Sequence, residues 1–200
     1  MTAFVDRLMK VCDTEWMFFG QSSIRADGKT TVGMREYDDG AWQRIGDYWR
    51  LIGGPYKHLT GKDRGTPWSA AFISWCMNEA GAGAKFPYSA GHATYINASI
   101  KNVGRAGAPF IAHSPKTYAL KPGDLIGYWR GAKAITFDNA LQVGWYQSHT
   151  DIVVEVGSGV ADTISGNVMH SVTKREVKLG AAGELIDRSE NWFVSIATNI

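Results

Sequence analysis

The sequence predicts an α+β fold in which N-terminal helices pack on an antiparallel β-sheet. Two observations carry this expectation. Apolar residues recur at helical spacing through the first half of the chain, whereas beyond Lys121 they fall into short β-branched runs joined by tight turns. A hydrophobic content of 44% over 200 residues is also enough for one substantial core, so residues 1–200 are expected to form a single domain.

The elements follow in order. Residues 4–19 place Phe4, Leu8, Val11, Cys12, Glu15 and Phe18 at helical spacing, and Gly20 is the stop. Residues 21–33 are polar, carry the Asp27-Gly28 turn signal and read as a loop. Asp38-Asp39-Gly40 leads into a helix over 41–52, with Trp42, Ile45, Tyr48, Trp49 and Ile52 on one face; Gly53-Gly54-Pro55 ends it. A polar loop, 57–65, feeds a largely apolar helix over 68–80 that Gly81 closes. After the loop 86–91, a helix runs from about His92 through Tyr95, Ile96 and Ile100. Lys121-Pro122-Gly123-Asp124 then turns into a strand at 125–129, and further strands are expected at 151–156, 159–164, 171–178 and 191–197. Sequential short strands of this kind argue for an antiparallel sheet covered by the earlier helices.

Charge narrows the function classes. The 21 basic and 19 acidic side chains are interspersed, with no Lys/Arg run, so no nucleic-acid partner is expected. Residues 1–20 interleave Asp6, Arg7, Lys10, Asp13 and Glu15 with apolar positions, unlike a signal peptide, and no stretch approaches membrane-spanning length. The chain is therefore expected to be made in the cytoplasm without a signal peptide and not to insert into a membrane. Cys12 and Cys76 form no CxxC pair, and their spacing demands no disulfide. His58, His113 and His170 show no ligand spacing, so no metal or other cofactor is expected.

The most informative stretch is Thr66-Pro67-Trp68-Ser69-Ala70-Ala71-Phe72-Ile73-Ser74-Trp75, which delivers a hydroxyl to the first turn of a buried helix. Unpaired N–H groups and a partial positive charge at a helix N-terminus suit both a nucleophile and an oxyanion. His149 opens the apolar strand Ser148-His149-Thr150-Asp151-Ile152-Val153-Val154, and Asn167 closes the run Thr163-Ile164-Ser165-Gly166-Asn167. Asp151, two residues from His149, is expected to share its face of the strand. A serine is too weak an acid to act as a resting anion, so Ser69 would need an imidazole to take its proton during attack. Each residue has a plainer reading: Ser69 as a first-turn cap, His149 as a strand-edge histidine, and Asn167 as a turn residue. His92, at the start of its helix, is a supporting candidate, with a solvent-facing histidine as the alternative. Cys76 lies about two turns beyond Ser69 and reads as core, and Asp124 reads as a turn carboxylate.

The Pro67-Trp68-Ser69-Ala70-Ala71-Phe72-Ile73-Ser74-Trp75 run resembles the nucleophile helix of the CHAP/NlpC-type papain-like amidases, bacterial enzymes that cut peptidoglycan peptides, with serine where that superfamily usually has cysteine. Lys121-Pro122-Gly123-Asp124-Leu125-Ile126, Ser148-His149 with Ile152-Val153-Val154, and Ile164-Ser165-Gly166-Asn167 resemble the segments that follow, so the likeness covers about 66–177. The resemblance implies a papain-like catalytic core over 66–197 behind a helical portion over 1–60. It implies Ser69 as nucleophile, His149 as general base, and Asn167 or Asp151 as the orienting group. The reaction implied is amide hydrolysis through an acyl-enzyme on a peptidoglycan stem peptide. Some papain-like amidases of this size are antibacterial effectors of type VI secretion, which implies a secretion apparatus, an immunity protein and action in the periplasm of a target bacterium. Trp68, with Trp145 and Tyr146 from the long loop 131–147, are the expected substrate-binding aromatics. A catalytically silent peptide-binding module, and an acyltransferase or hydrolase acting on protein or lipid, are the alternative readings.

Overall fold

The computed structural model describes residues 2–200. Helix α1 (Ala3–Phe18) starts at Thr2, whose hydroxyl accepts the Val5 N–H at 3.2 Å, and it buries Phe4, Leu8, Cys12 and Glu15. A two-stranded ribbon follows, β1 (Ser22–Ile24) and β2 (Thr30–Thr31), then α2 (Ala41–Ile52), α3 (Ser69–Glu79) and α4 (His92–Lys101). Strands β3 (Phe110–His113) and β4 (Leu125–Trp129) precede a one-turn helix α5 (Ala140–Val143). The chain finishes with β5 (Ser148–Val156), β6 (Val160–Val168), β7 (Ser171–Lys178) and β8 (Trp192–Thr198).

All eight strands join one sheet in the order β2-β1-β7-β6-β5-β4-β8-β3. The α+β class is therefore as expected, but the sheet is mixed: β1 runs parallel to β7, with Ser22 opposite Thr173. The cause lies in 21–33, expected as a loop within a helical portion. Its strands are only three and two residues long and mostly hydroxyl-bearing, so they carry no alternating apolar signal. Strand β3 is likewise too short to show a period.

The helices cover one face of the sheet, burying Leu8, Ile45, Trp49, Phe72, Ile73, Ile96, Ile152 and Ile164 in a common core. A smaller cluster of Leu120, Ile126, Val153, Val177, Leu179 and Leu185 lies on the other face. The pleat of β5 divides between them: Thr150 and Ile152 point to the helices, Asp151 and Val153 away. At Gly166 a Cβ would lie 2.5 Å from the Trp68 ring and 2.6 Å from Phe72 Cβ, so the absent side chain lets α3 settle on β6.

Cys12 and Cys76 are free thiols in this core, and burial pushes the Cys76 thiol well above its usual value. Asp124 is the expected turn carboxylate: it accepts N–H groups from Lys121 (2.9 Å) and Thr198 (3.0 Å). No described helix is long and apolar enough to cross a membrane.

Candidate active site

Ser69 is the first residue of α3. The cap residue Trp68 offers no side-chain acceptor, so the first-turn N–H groups of α3 are not capped from its own N-terminus. His92 is the first residue of α4. The two helix starts converge, and Ser69 Oγ sits 2.7 Å from His92 Nε2. On the far side of the ring, His92 Nδ1 lies 2.9 Å from Thr150 Oγ1 and also meets the Tyr95 hydroxyl, which is 3.0 Å from the same Thr150 oxygen. In the tautomer whose proton is on Nδ1, that proton goes to one of these hydroxyl oxygens and Nε2 accepts from Ser69 Oγ.

Burial pushes the His92 imidazole well below its usual value, the neighbouring His149 adds to that, and Asp151 opposes it. The partial positive charge of the α4 N-terminus acts in the same direction as burial. His92 is thus neutral at pH 7, the state a proton acceptor needs.

The imidazole paired with Ser69 is therefore that of His92, not that of His149. The pleat explains the difference. His149 leaves β5 on the face of Asp151, as the alternation required, so its ring comes to lie behind that of His92, and Thr150 is the β5 residue that reaches Nδ1. His149 is buried, 1% exposed, between the His92 and Tyr128 rings, with centroids 5.0 and 5.1 Å away. Its Nε2 is 3.3 Å from Asp151 Oδ1, without the alignment of a hydrogen bond. Burial alone would raise the Asp151 carboxyl, but Arg175, His149 and Ser165 hold it down at about 2. Asp151 is thus a buried anion behind the pair, with Arg175 Nε at 3.9 Å and the Thr163 hydroxyl donating at 3.1 Å.

Asn167 touches neither imidazole. It occupies an irregular stretch of β6 at φ 60°, in the left-handed region. In the amide orientation that satisfies its neighbours, it donates to Glu36 Oε2 (3.1 Å) and accepts the Trp68 N–H (3.2 Å). Glu36 also takes the Trp68 indole N–H at 2.7 Å and lies 2.9 Å from His170 Nδ1. Asn167 thus anchors Trp68, the residue before Ser69, and orients neither imidazole. Trp68 itself is 2% exposed, packed against Phe19, Tyr48 and Phe72, so it is a core residue and not a substrate-binding one.

A cleft of about 530 Å³ opens over the pair, lined by Ser69, His92, Tyr56, Arg130, Trp145 and Gln147 among others. This size suits a small ligand or a short stretch of chain. Trp145 stands 72% exposed on its wall; Tyr146 also lines the cleft but is largely buried, donating its hydroxyl to Asn97 Oδ1 at 2.9 Å. Thr150, Tyr95 and Arg130 were not singled out from sequence. Tyr95 carried a usable signal, lying three residues after His92 on one helix face. A second cavity, about 550 Å³, lies on the other side of the sheet beside Arg175 and Glu190, away from Ser69.

A protein-family model described as "Uncharacterized protein conserved in bacteria (DUF2272)" matches residues 36–196. No curated protein and no solved structure matches the chain.

Proposed function

The chain belongs to the DUF2272 family of bacterial proteins, and we propose that it is a serine hydrolase cutting an amide bond through an acyl-enzyme on Ser69, with His92 as general base. The observation that carries this reading is the 2.7 Å Ser69 Oγ–His92 Nε2 contact on the wall of an open cleft. As Ser69 Oγ attacks the carbonyl carbon, its proton passes to His92 Nε2. The oxyanion forms at the α3 N-terminus, where first-turn N–H groups are free to donate. His92 then gives that proton to the departing amine as the C–N bond breaks, and a water molecule, deprotonated by His92, releases the acyl group. Thr150 and Tyr95 hold the ring, and buried Asp151 supplies negative potential to the imidazolium.

The substrate proposed is a peptidoglycan stem peptide. The support for it is the resemblance of residues 67–75 and 121–126 to the CHAP/NlpC-type amidases. The strand-borne base that the resemblance implied is replaced here by His92, so the reaction class rests on geometry and the substrate on the resemblance. The biological role proposed is antibacterial: secretion, action in a target periplasm, and protection of the producer by an immunity protein.

One observation favours a second reading, a cleft that binds such peptides without cutting them. Nδ1 of His92 meets hydroxyls instead of a carboxylate, which leaves the imidazolium less stabilised than in an aspartate-backed triad.

Isolated peptidoglycan incubated with wild type, Ser69→Ala and His92→Gln separates the two, with soluble products read by mass spectrometry. Stem-peptide fragments from wild type alone support the hydrolase. Co-sedimentation with the wall and no fragments from any of the three supports the binder. Equal fragments from wild type and Ser69→Ala overturn the nucleophile assignment.

A further inference from the structure

Among the described residues lining the cleft, Arg130 is the one that carries a formal charge at neutral pH, since His92 is held neutral. It follows β4 directly, and its N–H donates to the Gln147 carbonyl at 2.8 Å, stitching together two segments that frame the opening. The next residue is Gly131, at φ +85°, where a Cβ would lie 2.8 Å from Gln147 Oε1. A side chain at 131 would be strained by this left-handed backbone, while Gln147 could move its amide aside.

The Arg130 guanidinium differs from the paired arginines elsewhere in the fold. Arg44 and Arg175 are spent on Glu15 and Glu190, whereas Arg130 is exposed and no carboxylate lines the cleft with it. An uncompensated arginine in a concave site focuses positive potential, and the two helix N-termini behind Ser69 and His92 reinforce it. A neutral ligand leaves that potential unanswered. A carboxylate answers it with paired, charge-assisted hydrogen bonds to a planar fork. Trp145 adds an exposed apolar wall to the same cleft.

We propose that the cleft selects an acyl substrate bearing a carboxylate close to the scissile bond, with Arg130 as the anion subsite and Trp145 packed against the adjoining apolar part. This rests on the hydrolase reading for the word substrate, but the subsite itself can be tested without turnover.

Two matched ester pairs supply the kinetic test: 4-nitrophenyl hemiglutarate against 4-nitrophenyl valerate, and 3-carboxy-4-nitrophenyl butyrate against 4-nitrophenyl butyrate. The first places the carboxylate on the acyl side and the second on the leaving-group side. Wild type is expected to prefer one anionic ester by about tenfold to a hundredfold in kcat/KM, the range for a hydrogen bond to a charged group. That ratio should fall to near unity in Arg130→Gln and invert in Arg130→Glu. Equal kcat/KM within both pairs, or a preference that survives Arg130→Gln, overturns the subsite.

The binding test uses Ser69→Ala titrated calorimetrically with glutaric acid monoanilide and with valeranilide. Tighter binding of the anion, lost in the double variant Ser69→Ala/Arg130→Gln, supports the subsite. Equal binding, or none of either, overturns it. Anion-selective binding with no Ser69-dependent ester turnover overturns the hydrolase reading and leaves the subsite standing.

Discussion

Glu15 and Asp151 are both buried carboxylates with an arginine nearby, and they are supplied with partners in opposite ways. Both oxygens of Glu15 are engaged: Arg44 reaches both, the Tyr48 hydroxyl donates to one, and the Trp75 indole donates to the other at 3.3 Å. The Arg44 guanidinium also lies over the Trp75 ring at 4.9 Å. This knot ties α1, α2 and α3 together with every acceptor used. Asp151 has one oxygen met by Thr163, while its other oxygen, the Nε2 of His149 and the Nε of Arg175 lie buried without an aligned hydrogen bond. A fully answered buried charge makes a joint; a half-answered one keeps electrostatic capacity in reserve. The half-answered cluster is the one behind Ser69 and His92.

The contrast can be broken most sharply at the pair itself. His92→Gln is expected to lower kcat/KM by about 10²–10⁴-fold, the span for loss of a general base, with the unfolding midpoint in urea little changed. His149→Gln should leave most of that activity, and the reverse ranking would return the base to β5. Glu15→Gln is expected to cost about 3–5 kcal/mol in urea unfolding, since it leaves Arg44 facing an uncharged partner, while kcat of the folded protein stays at the wild-type value. Asp151→Asn should show the opposite profile: a smaller loss of stability, about 1–3 kcal/mol, with a clear fall in kcat.

The same variant sharpens the comparison through pH. His92 must be neutral to accept a proton and its pKa is depressed, so the acid limb of kcat/KM is expected below about pH 6.5, the ordinary imidazole value. Asp151 holds that pKa up against burial, so Asp151→Asn should move the limb to still lower pH. Stability follows the same signs. The unfolded chain takes up a proton at His92 below about pH 6.5 that the folded chain refuses, so this contribution is present above that pH and lost as pH falls through it. Asp151, at about 2 in the fold against an ordinary 3.8, adds a second loss as pH falls from about 4 toward 2. A unfolding midpoint flat between pH 7 and 5 would contradict the neutral, buried state of His92. The smallest effect is reserved for Thr150→Val, which removes one of two hydroxyls at Nδ1: about 1 kcal/mol, several-fold in kcat.

Much of the fold was legible in the chain because its long elements carry strong periods. The spans expected for α2, β4 and β7 coincide with the observed ones, and α1, α3 and α4 differ only at their ends. Ser69 at the start of α3 was legible for a local reason: Pro67, Trp68 and the apolar run fix a helix boundary whatever the tertiary structure. The partner of Ser69 was not legible in the same way. His92 and His149 both open regular elements, and choosing between them requires knowing which face of β5 meets the helices, a property of the assembled sheet. Asn167 is hard to read for a related reason. Its left-handed backbone fits the turn-residue reading, but its partners Glu36 and Trp68 lie far away in sequence.

The parallel pairing of β1 with β7 has a consequence for how the molecule reaches this state. Ser22 bonds Ser171 across 149 residues of chain, and the Ser22 hydroxyl also accepts the Gly33 N–H beneath α1. During synthesis from the N-terminus, β1 must wait for β7 to be made. Contacts of such long sequence separation slow folding, because the entropy of closing the loop is lost before the pairing is gained. The ribbon of β1 and β2 is thus among the last parts to be locked, whereas α1 meets its partners Arg44, Tyr48 and Trp75 early in synthesis.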